Sequence, residues 1–244
     1  MLTLSRIRGI MAKRTVEIVP HVYQLTIRGV NIILIAEERL TLIDTGLRGS
    51  SAKIAQFIHS LGRKVEEISL IIITHNHFDH IDGLAELRKL TKAKVAAHQA
   101  DIVDTNGELP YPGGIRRLLR FRPFSTLRRH FALKPNEVDI FLEGDEVLEP
   151  LGGLKVIHTP GHTPGSISLY SPKNRLLIVG DALVKSRKAP HLPHKMVSTN
   201  RAQAVDSVRE MAQLDFDILC FGHGRPITEN ARNRLLELVE KVGG

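Results

Sequence analysis

Short apolar runs separated by turn residues dominate the first part of the chain and predict β-strands. The runs are rich in Val and Ile, and Gly29 marks a turn between two of them. They cover residues 16–19, 22–27, 31–36 and 40–44. Residues 50–61 carry a helical pattern instead, with Ser50 at the position of a helix N-cap and Gly62 just beyond the end.

Strands and helices continue to alternate along the rest of the chain, which indicates an α/β protein with its β-sheets in the middle. The apolar run at 69–73 predicts a strand that is buried on both faces. Further strands are predicted at 94–98, 154–158, 166–170, 176–180 and 217–221, and helices at 82–90, 199–214 and 228–242. Because no low-complexity linker interrupts the pattern, we expect one domain over residues 1–244, with 1–14 as a candidate disordered tail.

Composition narrows the class of protein. The chain is 42% hydrophobic and 25% charged, which is typical of a globular protein with a substantial core. Its single cysteine, Cys220, excludes an internal disulfide and a cysteine-based metal cage, so we expect a cytoplasmic protein. No stretch approaches the roughly 20 apolar residues of a membrane-spanning helix, and the N-terminus does not resemble a signal peptide.

The net charge of +8 is concentrated in one segment. Residues 111–136 contain seven basic side chains and no acidic one. Within 113–134, apolar residues recur at helical spacing on both sides of Pro123, which predicts a basic helical hairpin. Its arginines could attract an anionic substrate, nucleic acid or anionic lipid, or simply face water. Nucleic-acid binding is the weaker hypothesis, because the chain has 5% aromatic residues and no recognised RNA-binding module. A homodimer through the apolar side of the predicted hairpin is a further hypothesis.

Four apolar runs end in side chains that can bind metal. These side chains are His75, His77, Asp79 and His80 after the run at 69–73, and His162, Asp181 and His223 after three later runs. A buried strand that ends in a ligand gives it a rigid mount. Residues two apart on an extended segment face the same way, so His75 and His77 can bind one ion together, while Asp79 and His80 can face a second. Imidazole and carboxylate ligands suit zinc, iron or manganese.

The segment T-H-N-H-F-D-H at 74–80 resembles the H-x-H-x-D-H signature of the metallo-β-lactamase superfamily. Other landmarks of that family follow in order: L-I-D-T-G at 42–46, H-T-P-G-H-T-P-G-S at 158–166, V-G-D-A at 179–182 and F-G-H-G at 221–224. The resemblance covers about residues 20–230. It implies an αββα sandwich with the active site at one edge between two β-sheets, and it places the basic segment 113–134 near that site.

The resemblance also implies a role for each candidate ligand. It assigns His75, His77 and His162 to a first metal, Asp79, His80 and His223 to a second, and Asp181 to a bridge between them. Asp44 matches an early aspartate that braces the ligand loop, although a simple turn aspartate is nearly as good an interpretation. Asp79 and Asp181 are the expected catalytic residues. Two divalent ions, zinc first with iron or manganese as alternatives, could bridge a water and lower its pKa from about 15.7 towards about 7.

Departures from known branches of the family narrow the expected reaction. Asp181 at the bridging position argues against the β-lactamases that use a cysteine there. The short stretch after His223 leaves little room for the helical domain of glyoxalase II-type thioesterases. We therefore expect a hydrolase of a small ester, lactone or thioester, with lactone cleavage as the leading hypothesis. Three alternatives stay open: a phosphoesterase, a mononuclear-iron sulfur dioxygenase, and an RNA- or lipid-binding protein that uses the basic segment.

Overall fold

The computed structural model describes residues 15–102, 133–186 and 189–243, in which two β-sheets pack face to face. The larger sheet has seven strands in chain order. They are β1 (Thr15–Val19), β2 (Val22–Ile27), β3 (Val30–Ala36), β4 (Leu40–Ile43), β5 (Ile68–Ile72), β6 (Lys94–His98) and β7 (Ile140–Leu142). Strands β1 to β4 are antiparallel neighbours, whereas β4 to β7 run parallel.

The smaller sheet has five strands in the order β14-β11-β10-β9-β8. They are β8 (Val147–Leu148), β9 (Leu154–His158), β10 (Ile167–Ser171), β11 (Leu176–Ile178) and β14 (Ile218–Cys220). Strands β11 and β14 run parallel, and the other neighbours are antiparallel. A separate hairpin follows β11 and consists of β12 (Val184–Ser186) and β13 (Ala189–His191).

Helices cover the outer face of each sheet. They are α1 (Ser51–Ser60), α2 (Phe78–Ile81) and α3 (Leu84–Leu90) on the larger sheet, and α4 (Arg201–Met211) and α5 (Ala231–Gly243) on the smaller one. Ile54 and Leu87 lie in one apolar cluster with the larger sheet, and Val208 and Leu235 in another with the smaller. A third apolar cluster fills the space between the sheets. These layers confirm the αββα sandwich.

Most predicted elements have bounds within a few positions of those expected. Three strands have the predicted limits: 22–27, 94–98 and 154–158. Ser50 occupies the predicted N-cap position of α1, but its side chain makes no capping hydrogen bond. The helix predicted at 82–90 corresponds to α3, which begins two positions later, whereas the sequence pattern does not indicate the short helix α2. Gly83 separates the two helices, and its amide donates to the Gly46 carbonyl.

Some predictions were missed or lie outside the described residues. The sequence pattern did not indicate β7, β8, β12 or β13, since runs of two or three residues are too short to show an alternation. The tail 1–14 and the basic segment 113–134, except Leu133 and Lys134, lie outside the described residues, so the hairpin and the homodimer stay predictions. Among the described helices, none is both long enough and apolar enough to cross a membrane.

The topology brings several strand ends to one edge of the sandwich. Because β4, β5 and β6 are parallel neighbours, their carboxyl ends share an edge of the larger sheet. Asp44, residues 74–80 and Asp101 follow these three ends. In the smaller sheet the parallel strands β11 and β14 are followed by Asp181 and His223. The polar side chains that follow these buried strands can therefore meet between the sheets.

Backbone hydrogen bonds connect the two sheets at this edge. The Ile167 amide of the smaller sheet donates to the Thr74 carbonyl over 2.9 Å. The Asn31 amide of the larger sheet donates to the Gly222 carbonyl over 2.8 Å. The loops that hold the candidate ligands are thus anchored to both sheets.

Candidate metal centre

The seven predicted ligands converge at this edge of the sandwich. They form three overlapping groups of three residues. Within each group, the candidate ligand atoms all lie within 4.8 Å of one another. The groups are His75, His77 and His162; His75, His80 and Asp181; and Asp79, His80 and His223. We call the first of these the His75 group and the last the His223 group. His191 and His194, two further histidines that follow Asp181 in the sequence, belong to no such group within the described ranges.

Asp181 lies at the centre of the cluster. Its Oδ2 atom is 3.2 Å from Nε2 of His223, 3.7 Å from that of His162, 3.8 Å from that of His80 and 4.0 Å from that of His75. The last three distances are longer than a hydrogen bond. The three imidazoles therefore face the carboxylate oxygen without being bonded to it, which is an arrangement suited to cations between them.

Several buried atoms of the cluster lack a hydrogen-bond partner among the described residues. They are Nε2 of His75, His80 and His162, and Oδ1 of Asp181. All four residues are less than 9% exposed. A buried polar atom without a partner costs free energy, so each such atom in a native protein needs an explanation. Nitrogen and carboxylate donors of this kind are the ligands that zinc and similar divalent ions prefer, and the donor set fits such ions.

Thr74 and Asp44 orient two of the histidines. The Thr74 hydroxyl donates to Asp44 Oδ2 over 2.8 Å, so its oxygen is left to accept a proton from His75 Nδ1, 3.1 Å away. His80 Nδ1 donates to the same Asp44 oxygen over 2.8 Å. When neutral, both rings therefore carry the proton on Nδ1 and present a lone pair on Nε2 to the cluster. Asp44 thus contacts the ligand loop, where the resemblance implied a brace.

His223 is oriented by the larger sheet. Its Nδ1 donates to the Gly29 carbonyl over 2.9 Å, which leaves Nε2 for the cluster. The Asn31 side chain holds the loop around His223, because its Nδ2 donates to the Phe221 carbonyl over 2.8 Å and to the Gly224 carbonyl over 2.6 Å. The hairpin of β2 and β3 therefore positions a candidate ligand that follows β14.

The cluster opens to solvent on one side. The side chain of His223 is 37% exposed and that of Asp79 is 21% exposed, whereas those of His75 and His80 are almost completely buried. Solvent therefore reaches the cluster from the side of His223 and Asp79.

Burial keeps the histidines of the His75 group neutral. Burial, reinforced by the neighbouring His162, lowers the pKa of His77 to about 3. Burial also lowers the pKa of His162 to about 4, although Asp181 opposes the shift. The pKa of His75 lies well below its usual value because the ring is buried among other imidazoles. These three rings are therefore ready to act as ligands at neutral pH.

The histidines of the His223 group are held in their charged form instead. At His80, burial favours the neutral ring, but the charges of Asp44 and Asp181 outweigh it and raise the pKa to about 9. At His223, hydrogen bonds to Asp181 and Asp79 likewise outweigh burial and raise the pKa to about 11. Without bound metal, these two rings carry protons at neutral pH.

Gly222 allows the His223 loop to approach Asp181. A Cβ atom at this position would overlap Asp181 Oδ1 and lie 2.8 Å from Cε1 of His80. Its φ lies outside the left-handed region, so steric room alone requires glycine here.

The sequence pattern does not indicate Thr74, Asn31, Gly222 or Asp101 as residues of the site. Asp101 follows a buried strand, β6, which is the same signal that identified the candidate ligands. Asn31 had a weaker signal, since it is a polar residue at the start of an otherwise apolar strand. The roles of Thr74 and Gly222 depend on contacts between distant parts of the chain, which no local pattern indicates.

The profile of the Metallo-beta-lactamase superfamily matches residues 25–223, a range that includes all seven clustered residues. The chain belongs to this superfamily. This membership confirms the resemblance found in the sequence, and a superfamily relative in Bacillus subtilis is described as the probable metallo-hydrolase YflN. YflN is 28% identical over 246 residues, which covers 91% of this chain and 90% of that protein. Membership supports a metal-dependent hydrolase.

Other superfamily members show how far the similarity extends. A hydroxyacylglutathione hydrolase of Bartonella quintana is 31% identical over 165 residues, or 67% of this chain and 52% of that protein. The crystal structure of a metallo-beta-lactamase family protein from Thermus thermophilus has a TM-score of 0.70 at 23% identity, over 93% of this chain and 81% of that one. The B3 metallo-beta-lactamase BLEG-1 has a TM-score of 0.68 at 20% identity, over 91% and 99% of the two chains. The two crystal structures support the fold alone.

Proposed function

We propose that this chain is a two-metal hydrolase that cleaves a small ester, lactone or thioester. The observation that carries the proposal is the position of Asp181, whose Oδ2 faces histidine nitrogens of both the His75 group and the His223 group. We assign one ion to each group, with Asp181 shared between them and zinc as the expected metal. Two such ions would supply an activated water and polarise the carbonyl of the substrate.

The residues of the chain hold and shield this site. Asp44 and Thr74 fix the rings of His75 and His80, so that the ligand nitrogens do not reorganise during turnover. Asp79 lies on the open side, with Oδ2 3.3 Å from His223 Nε2. Burial raises the pKa of Asp79, but the hydrogen bond from His223 and the charge of His80 outweigh it and lower the pKa overall. The Asp79 carboxylate is therefore ionised at neutral pH, as a metal ligand must be.

One observation supports an acyl substrate, and another supports a two-metal site. The name of the Bartonella relative describes hydrolysis of an acyl group carried by glutathione, which supports an acyl centre here as well. Because this chain spans only about half of that relative, glutathione itself is not part of the proposal. The His223 group supports a two-metal hydrolase over a mononuclear dioxygenase, since the latter would need only the three histidines of the His75 group.

Metal analysis and a substrate screen test this function together. We expect two divalent ions per chain and hydrolysis of a lactone, simple ester or thioester that is lost on chelation and restored by zinc. The screen should also contain a phosphodiester, and oxygen consumption should be measured in parallel. Cleavage of the phosphodiester alone would replace the acyl substrate with a phosphoryl one. One iron per chain with oxygen uptake would identify a dioxygenase, and a chain that binds no metal would overturn the proposal.

Asp181→Asn tests the shared carboxylate directly. The substitution preserves the shape of the side chain and removes the charge, so we expect the fold to persist while hydrolysis falls on the order of 100-fold. Turnover and metal content of the purified variant are the measurements. Asp217→Asn is a matched control, because Asp217 is an exposed aspartate paired with Arg175 away from the cluster, and its turnover should be unchanged. Full activity of Asp181→Asn would contradict the mechanism.

A further inference from the structure

Asp101 is a buried carboxylate with no part in the proposed reaction. It is 2% exposed and lies in the short helical turn Gln99–Asp101, directly after β6. Its neighbours belong to two separate loops of the candidate metal centre. The first loop contains His75 and His77, and the second contains His162.

The carboxylate of Asp101 is hydrogen-bonded to both loops. Its Oδ2 accepts from the Asn76 amide over 2.8 Å and from the Thr163 hydroxyl over 2.6 Å. Its Oδ1 accepts from the Gly165 amide over 2.6 Å. The backbone carbonyl of Asp101 accepts a further bond, of 2.6 Å, from the Asn76 side chain. One residue that follows a strand of the larger sheet thus connects two loops that reach the site from different sheets.

The donors lie next to the histidines of the His75 group in sequence. Asn76 stands between His75 and His77, and Thr163 follows His162 directly. A shift of the Asp101 carboxylate would therefore move the two loops relative to each other. The distance between their imidazoles decides whether all three can bind one ion, since zinc needs its ligands at closely defined positions.

The local packing shows that this contact is close. A Cβ atom at Gly165 would lie 2.5 Å from the Asp101 amide nitrogen and 2.8 Å from its Cβ and Cγ atoms. Gly165 therefore lets its amide reach the carboxylate. A carboxylate suits the position because its two oxygens accept three bonds, whereas an asparagine has one accepting oxygen and an NH₂ group that would face a donor.

We propose that Asp101 is a positioning residue that sets the distance between His162 and the pair His75–His77 and thereby the affinity of the His75 group for its metal. The inference rests on the proposed two-metal function. The expected effect is selective, because two of the donors, Asn76 and Thr163, stand directly beside His77 and His162 in sequence. None of the three donors lies in α2, which contains Asp79 and His80, or in the loop of His223.

Zinc titrations of Asp101→Asn in two backgrounds test the claim. In an Asp79→Ala background the titration reports the His75 group, and in a His162→Ala background it reports the His223 group. We expect Asp101→Asn to weaken zinc binding about 10- to 100-fold in the first background and to leave the second unchanged. Asp139→Asn is the control, since Asp139 also accepts a backbone amide, that of Val95, without contacting either loop.

The possible outcomes separate the two proposals. A wild-type chain that binds no zinc would overturn the proposed function, and this inference with it. Zinc binding by the wild type together with equal effects, or no effect, of Asp101→Asn in the two backgrounds would overturn this inference alone. A lower thermal stability with unchanged zinc affinity would show that Asp101 is only structural. If Asp101→Asn does not fold, Thr163→Val removes one of the contacts and must weaken the His75 group selectively, or the inference fails.

Discussion

At the scale of single residues, Gly222 shows how little space surrounds the shared carboxylate. A methyl group at this position would overlap Asp181 Oδ1, and the neighbouring His80 is fully buried. We expect Gly222→Ala to displace the carboxylate and weaken zinc binding about tenfold, measured by competition with a chelating dye. The reason is steric, because the φ of Gly222 is one that alanine adopts.

Gly62→Ala is the control for this substitution. Gly62 has open space around its Cα but a φ of +75°, so alanine there should lower the free energy of unfolding by about 1 kcal/mol. Its zinc affinity should equal that of the wild type. Wild-type zinc affinity in Gly222→Ala would contradict the steric argument.

The protonation states of the histidines predict a difference between the two metal groups. His80, with a pKa of about 9, and His223, with a pKa of about 11, hold protons at pH 7 that a metal must displace. A raised pKa means that the proton binds more tightly, so zinc affinity of the His223 group should rise with pH. His77 and His162 have pKa values of about 3 and about 4, so the His75 group should bind zinc with little pH dependence near neutrality.

Calorimetric titration in buffers of different ionisation enthalpy measures the protons released. The Asp79→Ala and His162→Ala backgrounds again separate the two groups. We expect greater proton release on zinc binding when the His223 group is intact. Equal release from both groups, with no change of affinity between pH 6 and pH 8, would contradict the assigned protonation states.

At the scale of elements, the hairpin of β2 and β3 supports the His223 loop from the opposite sheet. Asn31 Nδ2 donates to two carbonyls of that loop, those of Phe221 and Gly224. Asn31→Ala would leave both carbonyls without this donor, so we expect a loss of about 2 kcal/mol in the free energy of unfolding. The His223 loop should also lose part of its order, which would weaken zinc binding by the His223 group more than by the His75 group.

Chemical denaturation and zinc titration of the same variant check both effects. Asn174→Ala is the matched control, because Asn174 donates to Ser171 in a turn away from the cluster. It should affect stability slightly and zinc affinity not at all. An Asn31→Ala protein with unchanged affinity at the His223 group would show that the hairpin does not support the ligand.

The elements that deliver the ligands could be predicted from the sequence because each is a local pattern. The strand predicted at 69–73 is apolar except for Ser69, and the four candidate ligands after it stand within six consecutive positions, 75–80. The position of Asp181 could not be predicted in this way, since the histidines around it come from three different segments of the chain. For Asp181 the prediction depended on the family resemblance, and the structure supplies the distances from its carboxylate to the histidines.

At the scale of the whole molecule, the sandwich explains why local patterns were insufficient. The hydrogen bond between Asn31 and Gly224 joins residues 193 positions apart. Such contacts depend on how the two sheets pack against each other, and that packing is spread over many apolar side chains of the central cluster. The αββα layers therefore followed from the resemblance, whereas the alternation of strands and helices indicated only an α/β protein.

The separation of Asn31 from Gly224 also has a consequence for how the chain reaches its native state. Contacts between distant positions form slowly, because a long loop must close before they contribute. His75 and His77 follow an early strand, but His223 follows β14 and meets its support on β3 only after both sheets have docked. An incompletely folded chain would therefore lack an assembled His223 group. At saturating zinc and a fixed pH, occupancy of this group would report the fraction of molecules that have completed folding.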